Sequence, residues 1–281
     1  MQRGIAASAS KHTKPRSAGI FLLTLLILLS SGFVMIRAIF SDRDEIQTAD
    51  HSLSEESAET LRTLSETISD IQIILEHSER YPASLLQLLA GNLETLEFVK
   101  NYPEHGLDTP ADSIGSVAAG EIPLLMQWDE RWGYAAYGSD FLAVTGCGPT
   151  CLSMVAAGLT GDSSITPLAV AEAAEQGGHY AEGYGSSWTL MSQCCEEFGL
   201  TAAELPLDEA TMLRELEAGR PIVCSMNPGD FTSSGHYIVL VAAENGQFRV
   251  HDPNSRERSD RLWSYDTLSG QIGNLWSFSL L

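Results

Sequence analysis

The chain is 281 residues long, 44% of its residues are apolar, and its formal net charge is −21. This length and apolar content argue against a chain that is disordered throughout. The acidic surface would repel phosphate backbones, so nucleic acid is a poor partner. The five cysteines show no C-x-x-C spacing. This argues against a disulfide scaffold and against a Cys/His zinc site.

The first feature along the chain is an uncharged stretch of 19 residues, AGIFLLTLLILLSSGFVMI, at positions 18–36. Basic residues precede it. We predict a transmembrane anchor over residues 18–40, with residues 1–17 in the cytoplasm and the remainder outside the cell. A cleaved signal peptide is the alternative. Its apolar core usually spans only about 7–15 residues, and bulky Met35 and Ile36 stand where small residues would be expected.

Residues 41–120 are predicted to form an acidic linker followed by a helical segment. Apolar residues recur there at three- and four-residue spacing, which marks one helical face. These residues are Leu61, Leu64, Ile68, Ile71 and Leu75. A second helix is predicted from Leu85 to Val99. We expect the helices to pack on their own domain, and weak self-association through residues 52–100 is the alternative.

Residues 121–281 are predicted to form the main domain, with helices first and antiparallel strands after them. The predicted helices span residues 149–159, 166–175, 188–198 and 208–218. The predicted strands span residues 221–225, 237–242 and 247–251. Asn245-Gly246 between the last two is a strong hairpin signal. This order of elements is typical of an α+β fold.

Cys147 lies between Gly146 and Gly148, and Pro149 begins a predicted helix directly after them. At the start of a helix, free backbone N–H groups and the helix dipole stabilise a thiolate. The same N–H groups can stabilise an oxyanion. Cys147 is therefore the candidate nucleophile, although a small buried cysteine before a helix remains an alternative interpretation.

His236 begins one predicted strand and Asp252 follows the next strand. In a tight antiparallel hairpin, the start of one strand lies beside the end of the other. We therefore expect the two side chains to be neighbours. An aspartate beside a histidine selects its tautomer and stabilises the imidazolium. His251 adjoins Asp252, but strand alternation directs it to the opposite face, so it is not expected to be the base.

These motifs together resemble the bacteriocin-processing (double-glycine) peptidase-like proteins, family thirty-nine of the cysteine peptidases. The resemblance covers residues 122–256, including the stretch Gln-Trp-Asp-Glu-Arg-Trp at positions 127–132. It implies a papain-like fold in which Cys147 is the nucleophile, His236 the general base and Asp252 the orienting acid.

The family also places a glutamine in the oxyanion hole, a few residues before the cysteine. No glutamine lies in the six residues before Cys147. Gln127 is the nearest upstream candidate, and a structural role for it is equally compatible with the sequence. The chain also carries no transporter domain, although the best-known members are fused to one, so a double-glycine leader substrate is not implied.

We therefore predict a membrane-anchored cysteine peptidase that faces the outside of a bacterial cell and cleaves a peptide or protein substrate. Its chemistry requires no cofactor and no metal. A second hypothesis is a catalytically inactive, papain-like surface module that binds peptides without turnover.

Overall fold

The structure is a computed structural model that describes residues 52–183 and 185–281. Within those ranges, no helix is long and apolar enough to cross a membrane. The anchor predicted at residues 18–40 lies outside the described residues. The described part is a mixture of helices and antiparallel sheet, as expected for an α+β fold.

The helical segment consists of four α-helices joined by two short 3-10 turns. The α-helices are α1 Glu55–Ser65, α2 Ser69–Glu76, α3 Ala83–Gly91 and α4 Leu96–His105. The two continuous helices predicted here were wrong. Ile68 is extended and separates α1 from α2. Asn92 is also extended, and its side chain accepts a bond from the Glu94 N–H, which starts a new turn.

The helical segment shares a hydrophobic core with the residues that precede the candidate nucleophile. Leu61, Ile74 and Leu89 are buried in the same cluster as Met126 and Phe141. Burying apolar surface in this way removes it from water and is the main stabilising contribution to such a contact. The segment therefore packs on its own chain, and self-association through residues 52–100 stays a prediction.

The main domain contains seven described α-helices, of which α6 is the longest. In chain order they are α5 Leu142–Thr145, α6 Cys147–Thr160, α7 Pro167–Gln176, α8 Thr189–Ser192, α9 Glu209–Glu217, α10 Arg256–Ser259 and α11 Tyr265–Ser269. The predicted proline start of α7 is confirmed, since the Thr166 side chain caps it. The helix predicted over residues 188–198 is instead α8 followed by a 3-10 turn.

Two small hairpins and one six-stranded sheet contain the strands. The hairpins are β1 Ala136–Tyr137 with β2 Asp140–Phe141, and β3 Tyr180–Ala181 with β4 Gly185–Ser186. The sheet contains β5 Leu200–Glu204, β6 Ile222–Met226, β7 His236–Glu244, β8 Gln247–His251, β9 Leu262–Ser264 and β10 Ile272–Leu280. Its order is β5-β10-β6-β7-β8-β9, and every pair is antiparallel. The sequence analysis missed β5, β9 and β10 of this sheet and the four short strands of the hairpins.

Both faces of this sheet are covered, so its central strands are apolar on both sides. Val223 and Val239 pack in the cluster that contains α6. Ile238 and Leu240 pack in the opposite cluster, which contains Met212 of α9. The sheet thus lies between two helical layers. The start of α6 lies near His236, the first residue of β7.

The predicted hairpin between β7 and β8 is confirmed, with Asn245 and Gly246 both at positive φ. A bulge at Val241 then shifts the register by one residue. Continuing the shifted register places Asp252 opposite Ile238. Directly opposed residues share a face, and residues two apart on a strand also do. The bulge therefore puts Asp252 on the same face as His236, whereas an unbroken ladder would put it on the other.

Candidate active site

Cys147 is the first residue of α6, and the two glycines beside it allow close packing around it. A Cβ on Gly146 would lie 2.4 Å from the Leu142 carbonyl oxygen. A Cβ on Gly148 would lie 2.5 Å from Ser186 Oγ. Cys147 is partly exposed, whereas the other four cysteines are buried. Its thiol is consequently the accessible one in the described residues.

His236 and Asp252 form a buried pair, with 2.8 Å between Nε2 and Oδ1. The sequence prediction that they are neighbours is confirmed. Cys147 lines the same cleft as His236 and is close enough to the ring to raise its pKa. Because Nε2 is directed at Asp252, the other ring nitrogen, Nδ1, is the one available to the sulfur.

Opposing effects act on the charge of His236. Burial lowers its pKa, but the charge of Asp252, the hydrogen bond to Asp252 and the nearby Cys147 outweigh burial and raise the pKa to about 10. The ring is therefore held as an imidazolium at neutral pH. A positive charge beside a cysteine stabilises the thiolate.

Asp252 is completely buried, and both oxygens of its carboxylate accept hydrogen bonds. Oδ1 also accepts the Asn254 N–H at 2.8 Å, and Oδ2 accepts Arg258 Nε at 2.5 Å. Burial raises the pKa of Asp252, but the combined effect of His236 and Arg258 is larger and lowers it, so the net shift is downward. Arg258 was not anticipated from the sequence, since no local pattern links it to an aspartate six positions earlier.

Gln127 is buried and lies in the same region. Its Nε2 donates to the Ala143 carbonyl oxygen at 2.7 Å and makes a longer bond of 3.4 Å to the Val144 carbonyl oxygen. Its Oε1 has no hydrogen-bond partner among the described residues. The side chain thus reaches the backbone three to four residues before Cys147, although it is twenty positions upstream.

A cleft extends to both sides of Cys147 and His236. One part has a volume of about 590 Å³ and is lined by residues that include Tyr180, Ser186 and Trp188. The other part has a volume of about 790 Å³ and is lined by Gln127, Arg258 and residues 91–94 among others. Both parts include Cys147 and His236, so an extended chain could lie across them.

The remaining candidates are placed differently. His251 is directed at the Pro123 carbonyl oxygen, and burial lowers its pKa. Trp128 and Trp132 are buried in the core, whereas Trp188 is 52% exposed at the cleft. In the part of the chain that the structure describes, no group of three or more His, Cys, Asp or Glu side chains is arranged to hold a metal ion.

Six chains among the solved structures match this one, including two peptidases of low sequence identity. The peptidase domain of Streptococcus ComA, a bi-functional ABC transporter involved in quorum sensing, is 18% identical, with a TM-score of 0.38. The match covers 48% of this chain and 90% of that one. A C39-like peptidase from Bacillus anthracis is 15% identical, with a TM-score of 0.35, and the match covers 59% and 98% respectively.

None of the curated proteins matches the chain. A family model, described as the Peptidase_C39 like family, matches residues 120–277. This match covers more than half of the chain and includes Cys147, His236 and Asp252. The chain therefore belongs to the Peptidase_C39 like family, as the motifs around its cysteine and histidine indicated.

Proposed function

We propose that the chain is a thiol peptidase that hydrolyses peptide bonds through Cys147, His236 and Asp252. One observation carries the proposal. The His236–Asp252 pair is buried, and its ring lines the same cleft as the Cys147 thiol that begins α6. A buried ion pair of this kind leaves its charges unsolvated, so a site without use for them would gain little from keeping it.

In this mechanism, the Cys147 thiolate attacks the carbonyl carbon of the substrate and forms a tetrahedral intermediate. His236 then gives its proton to the leaving amine, and an acyl-enzyme remains on the sulfur. His236, now neutral, takes a proton from water, and the resulting hydroxide equivalent releases the acid product. Asp252 keeps the ring in one orientation through both steps.

The oxyanion of the intermediate would be stabilised by the backbone N–H groups at the start of α6 and by Gln127. The first N–H groups of a helix have no partner within the helix. The long bond from Gln127 Nε2 to Val144 is the weaker of its two bonds. The hydrogen in that bond is the one that a developing negative charge could take over.

Alkylation by an iodoacetamide probe tests the reactive state of the thiol. Burial raises the pKa of Cys151, Cys194, Cys195 and Cys224. In the full-length protein at pH 7, we expect the probe to label Cys147 alone, as read by peptide mass spectrometry. His236→Ala should slow this labelling at least about tenfold. His77→Ala, an exposed site, is the matched control.

The alternative is an inactive, papain-like module that binds peptides without turnover. The observation in its favour is that Gln127 Nε2 donates to the protein's own backbone. Slow labelling of all five cysteines at equal rates, unaffected by His236→Ala, would favour this module over the peptidase.

We also propose that the site faces the outside of the cell, on an anchor at residues 18–40, where it would meet a peptide or protein substrate. The support is the uncharged stretch and the basic residues before it. A membrane-impermeant thiol reagent should label Cys147 on intact bacteria that express the full chain. Labelling only after lysis would contradict this orientation.

A further inference from the structure

The turn after Asp252 is held by two side chains from the helical segment. Asn92 Nδ2 donates to the Asn254 carbonyl oxygen at 2.6 Å. Glu94 Oε1 accepts Ser255 Oγ at 2.6 Å, and Glu94 Oε2 accepts the Arg256 N–H at 2.8 Å. These contacts join residues about 160 positions apart in the chain.

The same turn carries the bonds that orient the carboxylate of Asp252. Asn254 donates its N–H to Oδ1, and Arg258 donates Nε to Oδ2. Because the turn is short, movement of residues 254–256 would displace both donors. Trp128 Nε1 also donates to the Asn254 carbonyl oxygen, at 3.2 Å, so Asn92 shares that acceptor with a residue of the main domain.

Asn92 and Glu94 precede residue 120, where the family match begins. They lie at the junction of α3 and α4, in the short 3-10 turn that broke the predicted helix. The turn exists because Asn92 is extended and caps it. The irregularity that interrupts the helix therefore brings two polar side chains to the turn that bears the candidate orienting acid.

We propose that Asn92 and Glu94 are positioning residues, through which the helical segment aligns Asp252 with His236. This inference rests on the proposed function of that site. Neither residue touches the thiol or the imidazole in this proposal. They act by restricting the turn at residues 254–256, so that Asp252 keeps its bond to His236 while Arg258 holds its other oxygen.

The expected effect follows from the groups around the imidazole. Asp252 faces His236 from the turn with Arg258 behind it, and Cys147 faces it from α6 with Cys151 nearby. Asp252 is the group that favours the charged ring most strongly. If the turn is loosened, the hydrogen bond between Asp252 and His236 forms for a smaller fraction of the time. His236 then loses its proton at a lower pH.

The experiment follows the His236 ring by NMR titration of the full-length, 15N-histidine-labelled protein. His236→Ala assigns the signal. The test variants are Asn92→Ala, which changes no charge, and Glu94→Gln, which preserves side-chain volume and removes one acceptor. Glu97→Gln is the matched control, because it removes a charge from the same segment, where Glu97 is exposed and accepts from Lys100 Nζ.

We expect both test variants to lower the titration midpoint of His236 by about 1 pH unit. Glu97→Gln should leave the midpoint at the wild-type value. The signals of His179 and His251 and the thermal midpoint report whether each variant is folded. If Asn92→Ala does not fold, Glu94→Gln against Glu97→Gln decides.

The inference would be overturned if His236 had the wild-type titration midpoint in both test variants. Equal shifts in Glu94→Gln and Glu97→Gln would also overturn it, since charge alone would then be the cause. Failure of the proposed function would be a different result, observed in the wild-type protein. There, all five cysteines would be alkylated at equal rates, with no preference for Cys147. The His236 titration would still report on the contact in that case.

Discussion

The first and second turns of α6 each carry a cysteine, and the two thiols have opposite surroundings. Cys147 begins the helix and is partly exposed in the cleft that His236 also lines. Cys151, one turn later, is completely buried, and its pKa is raised well above the ordinary value, mainly by burial. The residue type is the same. Exposure, the free N–H groups at the helix start and a charged neighbour distinguish them.

The comparison predicts its largest effect for peptide hydrolysis. Cys147→Ala should reduce turnover of any cleaved peptide by at least about 10³-fold, because the attacking atom is removed. Cys151→Ala should leave turnover within about twofold, because Cys151 supplies only packing. Initial rates with a defined peptide library measure both. Equal losses in the two variants would contradict the division between the turns.

Gln127→Ala should give the next largest effect. Loss of one oxyanion donor typically costs about 10²-fold in turnover. Alkylation of Cys147 by iodoacetamide passes through no oxyanion, so its rate should remain near wild type. Turnover and labelling rates measured on the same preparation separate the two steps. A parallel fall in both would assign Gln127 to the support of the Ala143 backbone instead.

Substitution of the buried thiol should reduce the stability of the protein more than substitution of the partly exposed one. Cys151→Ser places a hydroxyl in an apolar site, and we expect a loss of about 2 kcal/mol in the free energy of unfolding. Cys147→Ser, on the same helix but partly exposed, should cost less than about 0.5 kcal/mol. Urea unfolding followed by circular dichroism measures both. Comparable losses would show that the two environments differ less than their burial indicates.

The last prediction is a pH dependence of stability that comes from His236. Its folded pKa, raised to about 10, lies above the unfolded value, so its stabilising contribution is complete below pH about 6.5 and is lost as pH rises towards 10. The stability difference between wild type and His236→Ala should fall by about 1 kcal/mol per pH unit between pH 7 and 9. His77→Ala, at an exposed site, should show no such slope.

Local signals in the sequence were sufficient for several elements of the site. Cys147 between glycines before a proline marked the start of α6, and Asn245-Gly246 marked the hairpin. These patterns depend on backbone conformations that only neighbouring residues decide. The proximity of His236 and Asp252 followed from the hairpin, since both lie at similar distances from its turn.

Only the tertiary structure decided the face on which Asp252 lies and what holds it there. The bulge at Val241 has no sequence signal, yet a one-residue shift moves a side chain to the other face. The bonds from Asn92, Glu94 and Arg258 depend on packing between distant segments. A local sequence signal describes one element at a time, so such signals determined the helix start and the hairpin but could not determine how the two elements pack together.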